Sequence, residues 1–124
     1  MKDVSKNTEP QQSCITAVSK SVSISDKCKL DFEKWLDKQE VAPYKVMFYE
    51  IPIIVQICYL VQWFDVVGLN IYTKPIFHYG GLSFEGSIEG REISKIETEY
   101  FKTRTEAFLK SIELVNVRYN DNFV

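Results

Sequence analysis

The run IPIIVQICYLVQWFDVVG, positions 51–68, is the most apolar stretch of the chain and constrains its fold more than any other segment. Pro52 suits the first turn of a helix, where its missing amide costs nothing, and Gly68 suits the position just past the end, where a left-handed backbone is favoured. Together they predict a helix over about residues 52–67. A bilayer-spanning helix needs about twenty mostly apolar residues, whereas this one is shorter and carries Gln56, Gln62 and Asp65. A membrane span is therefore not expected.

On a wheel of about 100° per residue with Gln56 at zero, Asp65 falls near 180° and Gln62 near 240°. The polar residues share no face, and a helix that is apolar almost all round has to be covered on most sides. Ile53, Ile57, Leu60, Val61 and Phe64 form the expected core side. Tyr59, Trp63 and Val66 form the side expected to stay partly uncovered and to meet another protein. The competing expectation is that Tyr59 and Trp63 pack under the preceding helix, as aromatics at helical spacing usually do.

That preceding helix is read in DKCKLDFEKWLDKQE, with Asp26 as its cap and Cys28, Phe32, Trp35, Leu36 and Gln39 on one stripe. Pro43 should end it. The segment YKVMFYE is equally compatible with a connector or a short strand. After Gly68 the period changes to two: Leu69, Ile71 and Thr73 share one face, with Asn70 and Tyr72 on the other. Pro75 should interrupt this strand. Gly80 and Gly81 suit a hairpin turn, Glu89 and Gly90 mark the next one, and REISKIETEYF fits a further strand, although its spacing also permits a helix. In TRTEAFLKSIELVNVRY, Thr103 and Glu106 form a capping box. Phe108, Ile112 and Val115 follow as an apolar stripe widened by Ala107, Leu109 and Leu114, and Glu106 with Lys110 is spaced for a surface ion pair. The expected fold class is α+β: two N-terminal helices, a small antiparallel sheet of three to four strands, and a C-terminal helix packed on one face.

Composition sets outer limits. The chain has 124 residues, 45% hydrophobic and 26% charged, enough for a single domain. We divide it into a flexible Ser-rich leader at 1–25, an α+β domain at 26–119 and a short tail at 120–124. Val22 and Ile24, alternating with serines, are the leader's one hint of an edge strand. A net charge of −2 supplies no positive field for nucleic acid or anionic membrane. Cys14, Cys28 and Cys58 are odd in number and lack C-x-x-C spacing, which suits a reducing compartment rather than a disulfide framework or a zinc site. No apolar signal-peptide core precedes the domain, so a cytoplasmic protein is expected.

The segment IPIIVQICYLVQWFDVVGLNIYT, followed after variable strands by FKTRTEAFLKSIELVN, resembles a group of small uncharacterised proteins encoded by bacteriophages, prophages and related mobile elements. In that group an aromatic-rich helix ends in an F-D-x-x-G turn and a K-T-R-x-E-A segment opens the final helix. The resemblance spans roughly residues 30 to 118 and rests on these two motifs. It implies context only, a phage-type accessory protein acting in the host cytoplasm, and brings no catalytic residues with it.

Chemistry-bearing motifs are sparse. His78 is the only histidine, no G-x-S-x-G elbow surrounds a serine, and YGG and FEGSIEG lack the spacing of a phosphate loop. Those glycines read as hairpin turns. Glu85, Glu89, Glu92, Glu97 and Glu99 lack a calcium-loop pattern and read as a solvated sheet face. No catalytic residue, metal site, cofactor or small-molecule substrate is expected. The leading expectation is a noncatalytic protein that binds another protein or a second copy of itself, with Tyr59 and Trp63 as aromatic anchors and Val66 beside them. The alternative is a nucleic-acid-binding module using Lys102, Arg104 and Lys110 at the start of the last helix, as in double-stranded-RNA-binding domains. It is disfavoured because the span from Arg91 to Arg118 holds six basic residues against five glutamates, and because that fold has no place for the apolar helix at 52–67.

Overall fold

A computed structural model of the chain describes residues 21–40, 45–90 and 93–122. The elements, in order, are helices α1 (Asp26–Asp37), α2 (Lys45–Phe48) and α3 (Ile53–Val66), strands β1 (Leu69–His78), β2 (Gly81–Gly90) and β3 (Ile93–Phe101), and helix α4 (Arg104–Asn122). The strands form an antiparallel sheet in the order β1-β2-β3. Helix α4 packs on one face of that sheet. The chain is thus an α+β protein, as its hydrophobic periods dictate.

Helix α3 begins after Pro52 and ends before Gly68, whose φ of 89° is the left-handed conformation that glycine adopts without steric cost. The capping box forms in full: Glu106 N donates to Thr103 Oγ1 (3.1 Å) and Thr103 N donates to Glu106 Oε1 (3.2 Å). With the Glu106 carboxylate so engaged, Lys110 pairs instead with Glu113 at 2.7 Å.

Between α1 and α4 three expectations change. The segment at 45–48, expected as a connector or a short strand, is a single helical turn, and it inserts Phe48 edge-on against Phe32 with ring centroids 5.0 Å apart. Pro75 does not interrupt β1. It pairs with Phe84 inside one ten-residue strand, because β1 lies at the sheet edge, where a missing amide donor breaks no ladder bond. LNIYT and IFH therefore belong to one strand, leaving three strands among the described residues rather than four. Gly86 is no turn residue either: it lies mid-strand beneath α4. A Cβ there would stand 2.9 Å from the Ala107 carbonyl oxygen, and it would collide with Ser111 Oγ. Helix and sheet meet at this spot because neither side carries bulk.

The start of α1 is not capped by Asp26, which has a φ of 54°, a conformation that aspartate tolerates better than most residues. The cap comes from far along the chain. Asn120 Oδ1 accepts from Cys28 N (2.8 Å), and Asn116 Oδ1 accepts from Ser25 N (2.9 Å). Two asparagines one turn apart on α4 thus satisfy amides that a helix start leaves without intrahelical partners. The packed structure also reaches upstream of Asp26. Val22 is buried and its amide donates to Gln56 Oε1 (3.0 Å), while residues 1–20 of the expected leader lie outside the described residues. At the other end α4 runs to Asn122, past the expected boundary at 119.

Candidate functional site

The core side of α3 is rotated from the one its composition suggests. Gln56 is fully buried, accepting from Val22 N and donating through Nε2 to Ile51 O at 2.8 Å. A buried amide is tolerated when both its ends are satisfied, and with Gln56 inward the wheel turns. Trp63, expected at the uncovered side, is 3% exposed. Its ring lies 5.6 Å from Phe32 and 5.2 Å from Tyr119, so it belongs to the aromatic core beneath α1. Tyr59 is half-buried, edge-on to Phe48 at 6.1 Å. Of the three expected contact residues only Val66, 67% exposed, is open.

The arc that is open holds Ile54, Val55, Cys58, Gln62, Asp65 and Val66. Part of it faces a groove of about 540 Å³ between α3 and the first turns of α4, lined by Ile54, Ile57, Cys58, Val61, Gln62, Arg104, Thr105 and Phe108. Among the described residues Arg104 is its one charged lining residue. Its Nη1 donates to Thr73 Oγ1 (3.0 Å) and its guanidinium lies 4.9 Å from the centre of the Phe84 ring. Five N–H donors serve a guanidinium, so among the described residues most have no protein partner.

From Arg104 the apolar surface continues along the sheet. Thr73, Pro75 and Phe77 alternate onto one face of β1, opposite Gly86, Phe84 and Leu82 of β2. The last rung on this face, Phe77 with Leu82, projects from the body of the domain: Phe77 is 80% exposed, and Tyr79 at the turn is fully exposed. Ile54, Cys58, Phe77, Tyr79 and Leu82 carry this surface, and the residue pattern alone did not single them out. The available signal was Gln56: had its amide been assigned to the interior, the wheel would have turned Ile54 and Cys58 outward.

The opposite sheet face is polar. Lys74 Nζ lies 3.3 Å from Glu85 and 3.6 Å from Glu97, Lys95 Nζ lies 3.4 Å from Glu97, and Tyr72 Oη donates to Glu89 Oε2 at 2.7 Å. The glutamates are thus interleaved with lysines. Between Glu85 and Ser87 the β2–β3 register shifts, so that Glu97 and Tyr100 both turn to this face.

His78 Nε2 lies 2.7 Å from Ser83 Oγ, within hydrogen-bond reach, on the exposed hairpin. Among the described residues His78 has no carboxylate partner. Of the expected nucleic-acid contacts, Lys110 is paired with Glu113, Arg104 is laid over Phe84, and Lys102 is exposed, with no ion pair among the described residues. The cysteines differ sharply. Burial pushes the Cys28 thiol up to about 12, whereas Cys58 is exposed in the groove. No described helix is long and apolar enough to cross a membrane. Comparison with protein-family models, with curated proteins and with solved structures finds no match to this chain.

Proposed function

We propose that this chain is a small noncatalytic accessory protein, phage or mobile-element in type, that acts in the cytoplasm by binding another protein. The observation that carries this reading is the apolar surface running from the α3–α4 groove across Arg104 and Phe84 to the hairpin tip at Phe77 and Tyr79. Scattered apolar residues are ordinary on a protein surface, whereas a contiguous patch with a concave part and projecting aromatics is the pattern of interaction sites. The binding residues in this reading are Ile54 and Cys58 in the groove and Phe77, Tyr79 and Leu82 on the hairpin, with Val66 at the end of α3. Trp63 serves the core instead.

A nucleic-acid reading has less support. Phosphate binding draws on several free cations together, and of Lys102, Arg104 and Lys110 the last is paired with Glu113, while the groove beside Arg104 is walled by apolar side chains.

The test compares proteins co-purifying from host-cell lysate with the wild-type chain, Ile54→Asp and Phe77→Ser. Both positions are more than half exposed, so the fold tolerates the changes, as circular dichroism will verify. The reading expects a defined partner retained by the wild type and lost from at least one variant. Identical capture by all three proteins would refute it.

A further inference from the structure

We infer that the α3–α4 groove takes an amphipathic helical segment of another protein, with a carboxylate at the edge of that segment's apolar face held by Arg104. This rests on the reading above that the face binds protein, and it names the chemistry of the partner.

Four observations lead to it. The walls of the groove are helices, which offer an incoming strand no sheet edge to add to. A helix satisfies its own backbone and needs only apolar walls. From Ile54 to Val61 the groove follows about two turns of α3, roughly 10 Å, which matches apolar anchors at i, i+3 or i+4, and i+7. Among the described residues the lining holds one charge, Arg104, and no carboxylate, while the nearby Glu106 is spent on the capping box. Finally, Arg104 is held in place before any partner arrives, by Thr73 and by the Phe84 ring. A guanidinium already oriented, with donors unspent, suits bidentate capture of a carboxylate.

The same facts argue against the other occupants. A second copy related by a two-fold axis would bring two cationic rims toward one another. A nucleic-acid backbone would meet apolar walls and a single lining cation.

The experiment is a display selection of amphipathic helical peptides with fixed apolar anchors at i, i+4 and i+7 and random flanking residues, against the full chain. Affinities of the enriched peptides follow by fluorescence anisotropy on wild type, Ile54→Asp, Arg104→Gln and Arg104→Lys. We expect Asp or Glu to be enriched beside the apolar face. Arg104→Gln should weaken binding roughly tenfold or more, with Arg104→Lys restoring only part because the fork is lost. Changing the peptide's acid to its amide should cost as much on wild type and almost nothing on Arg104→Gln, which keeps the test valid even if the arginine variants are destabilised. Peptides lost on Ile54→Asp but without acid preference would overturn the carboxylate inference and leave the protein-binding reading standing. A selection with no binder sensitive to Ile54→Asp would overturn the groove as a helix site, and capture from lysate unaffected by both Ile54→Asp and Phe77→Ser would take the broader reading with it. Displacement of the peptide by duplex RNA, or self-association of the chain abolished by Ile54→Asp in light scattering, would assign the groove to those occupants instead.

Discussion

Gly86→Ala tests how α4 sits on the sheet. The added methyl would collide with Ser111 Oγ and stand 2.9 Å from Ala107 O and 3.2 Å from Thr98 Oγ1. Ser111 is fully buried and donates to Ala107 O at 2.9 Å, so it can rotate away only by abandoning that bond. The Ala107 carbonyl is backbone, and the helix itself has to lift. Overpacking of this kind costs about 1–3 kcal/mol, and a buried hydroxyl stripped of its partner adds about 1–3 kcal/mol. Against this, removing glycine from the unfolded chain returns about 0.4–1 kcal/mol. The net destabilisation is roughly 2–4 kcal/mol, a large part of the ~5–15 kcal/mol that holds a domain together. With a urea slope of about 1–3 kcal/mol per molar, the unfolding midpoint should fall by roughly 1–2 M. Ser111→Ala should relieve part of the effect, so the two substitutions should be coupled. A Gly86→Ala midpoint equal to wild type would mean that α4 does not rest on Gly86, and the helix-on-sheet packing derived above would be wrong.

Other substitutions probe the remaining contacts. Asn120→Ala removes the acceptor for Cys28 N and should cost about 0.5–2 kcal/mol, as lost helix caps do, lowering Tm by several degrees in thermal unfolding. Trp63→Ala should cost about 3–5 kcal/mol, seen as a large loss of urea resistance, because Trp63 is a core residue; wild-type stability would contradict its placement against Phe32 and Tyr119. Asp31 accepts from Tyr119 Oη at 2.7 Å and pairs with Lys27 at 3.0 Å, and these, in that order, hold its carboxyl below the usual aspartate range. Its folded value is the lower one, so its contribution is complete above about pH 4 and is lost as pH falls through the folded value. Asp31→Asn should therefore flatten the acid limb of a stability–pH profile and leave its slope near neutrality unchanged.

Features set by local chemistry were legible in the sequence. Pro52 and Gly68 bound α3, Thr103 and Glu106 start α4, Cys28, Phe32 and Leu36 face the core from α1, and the alternation of Leu69 and Ile71 places them inward. Features set by distant partners were not. Gln56 looks like a surface residue until Val22 N and Ile51 O are placed around it, and that one burial moved the open arc from Trp63 to Ile54 and Cys58. Asn116 and Asn120 cap a helix some ninety residues away in sequence. Pro75 reads as a break until β1 is known to be an edge, and Gly86 reads as a turn until a helix lies across it. The exposed hairpin tip follows from β1 and β2 outrunning the helices, which no residue in either strand announces.

The most direct test of the central claim, that the α3–α4 face is where a partner binds, uses the thiol already in the groove. Alkylation of Cys58 is followed by peptide-resolved mass spectrometry in the free chain and in the chain saturated with its captured partner. The account predicts ready modification of Cys58 in the free protein and strong protection in the complex, with the buried Cys28 unreactive in both until the chain unfolds. Equal Cys58 modification rates with and without the bound partner would place the contact elsewhere and contradict the assignment.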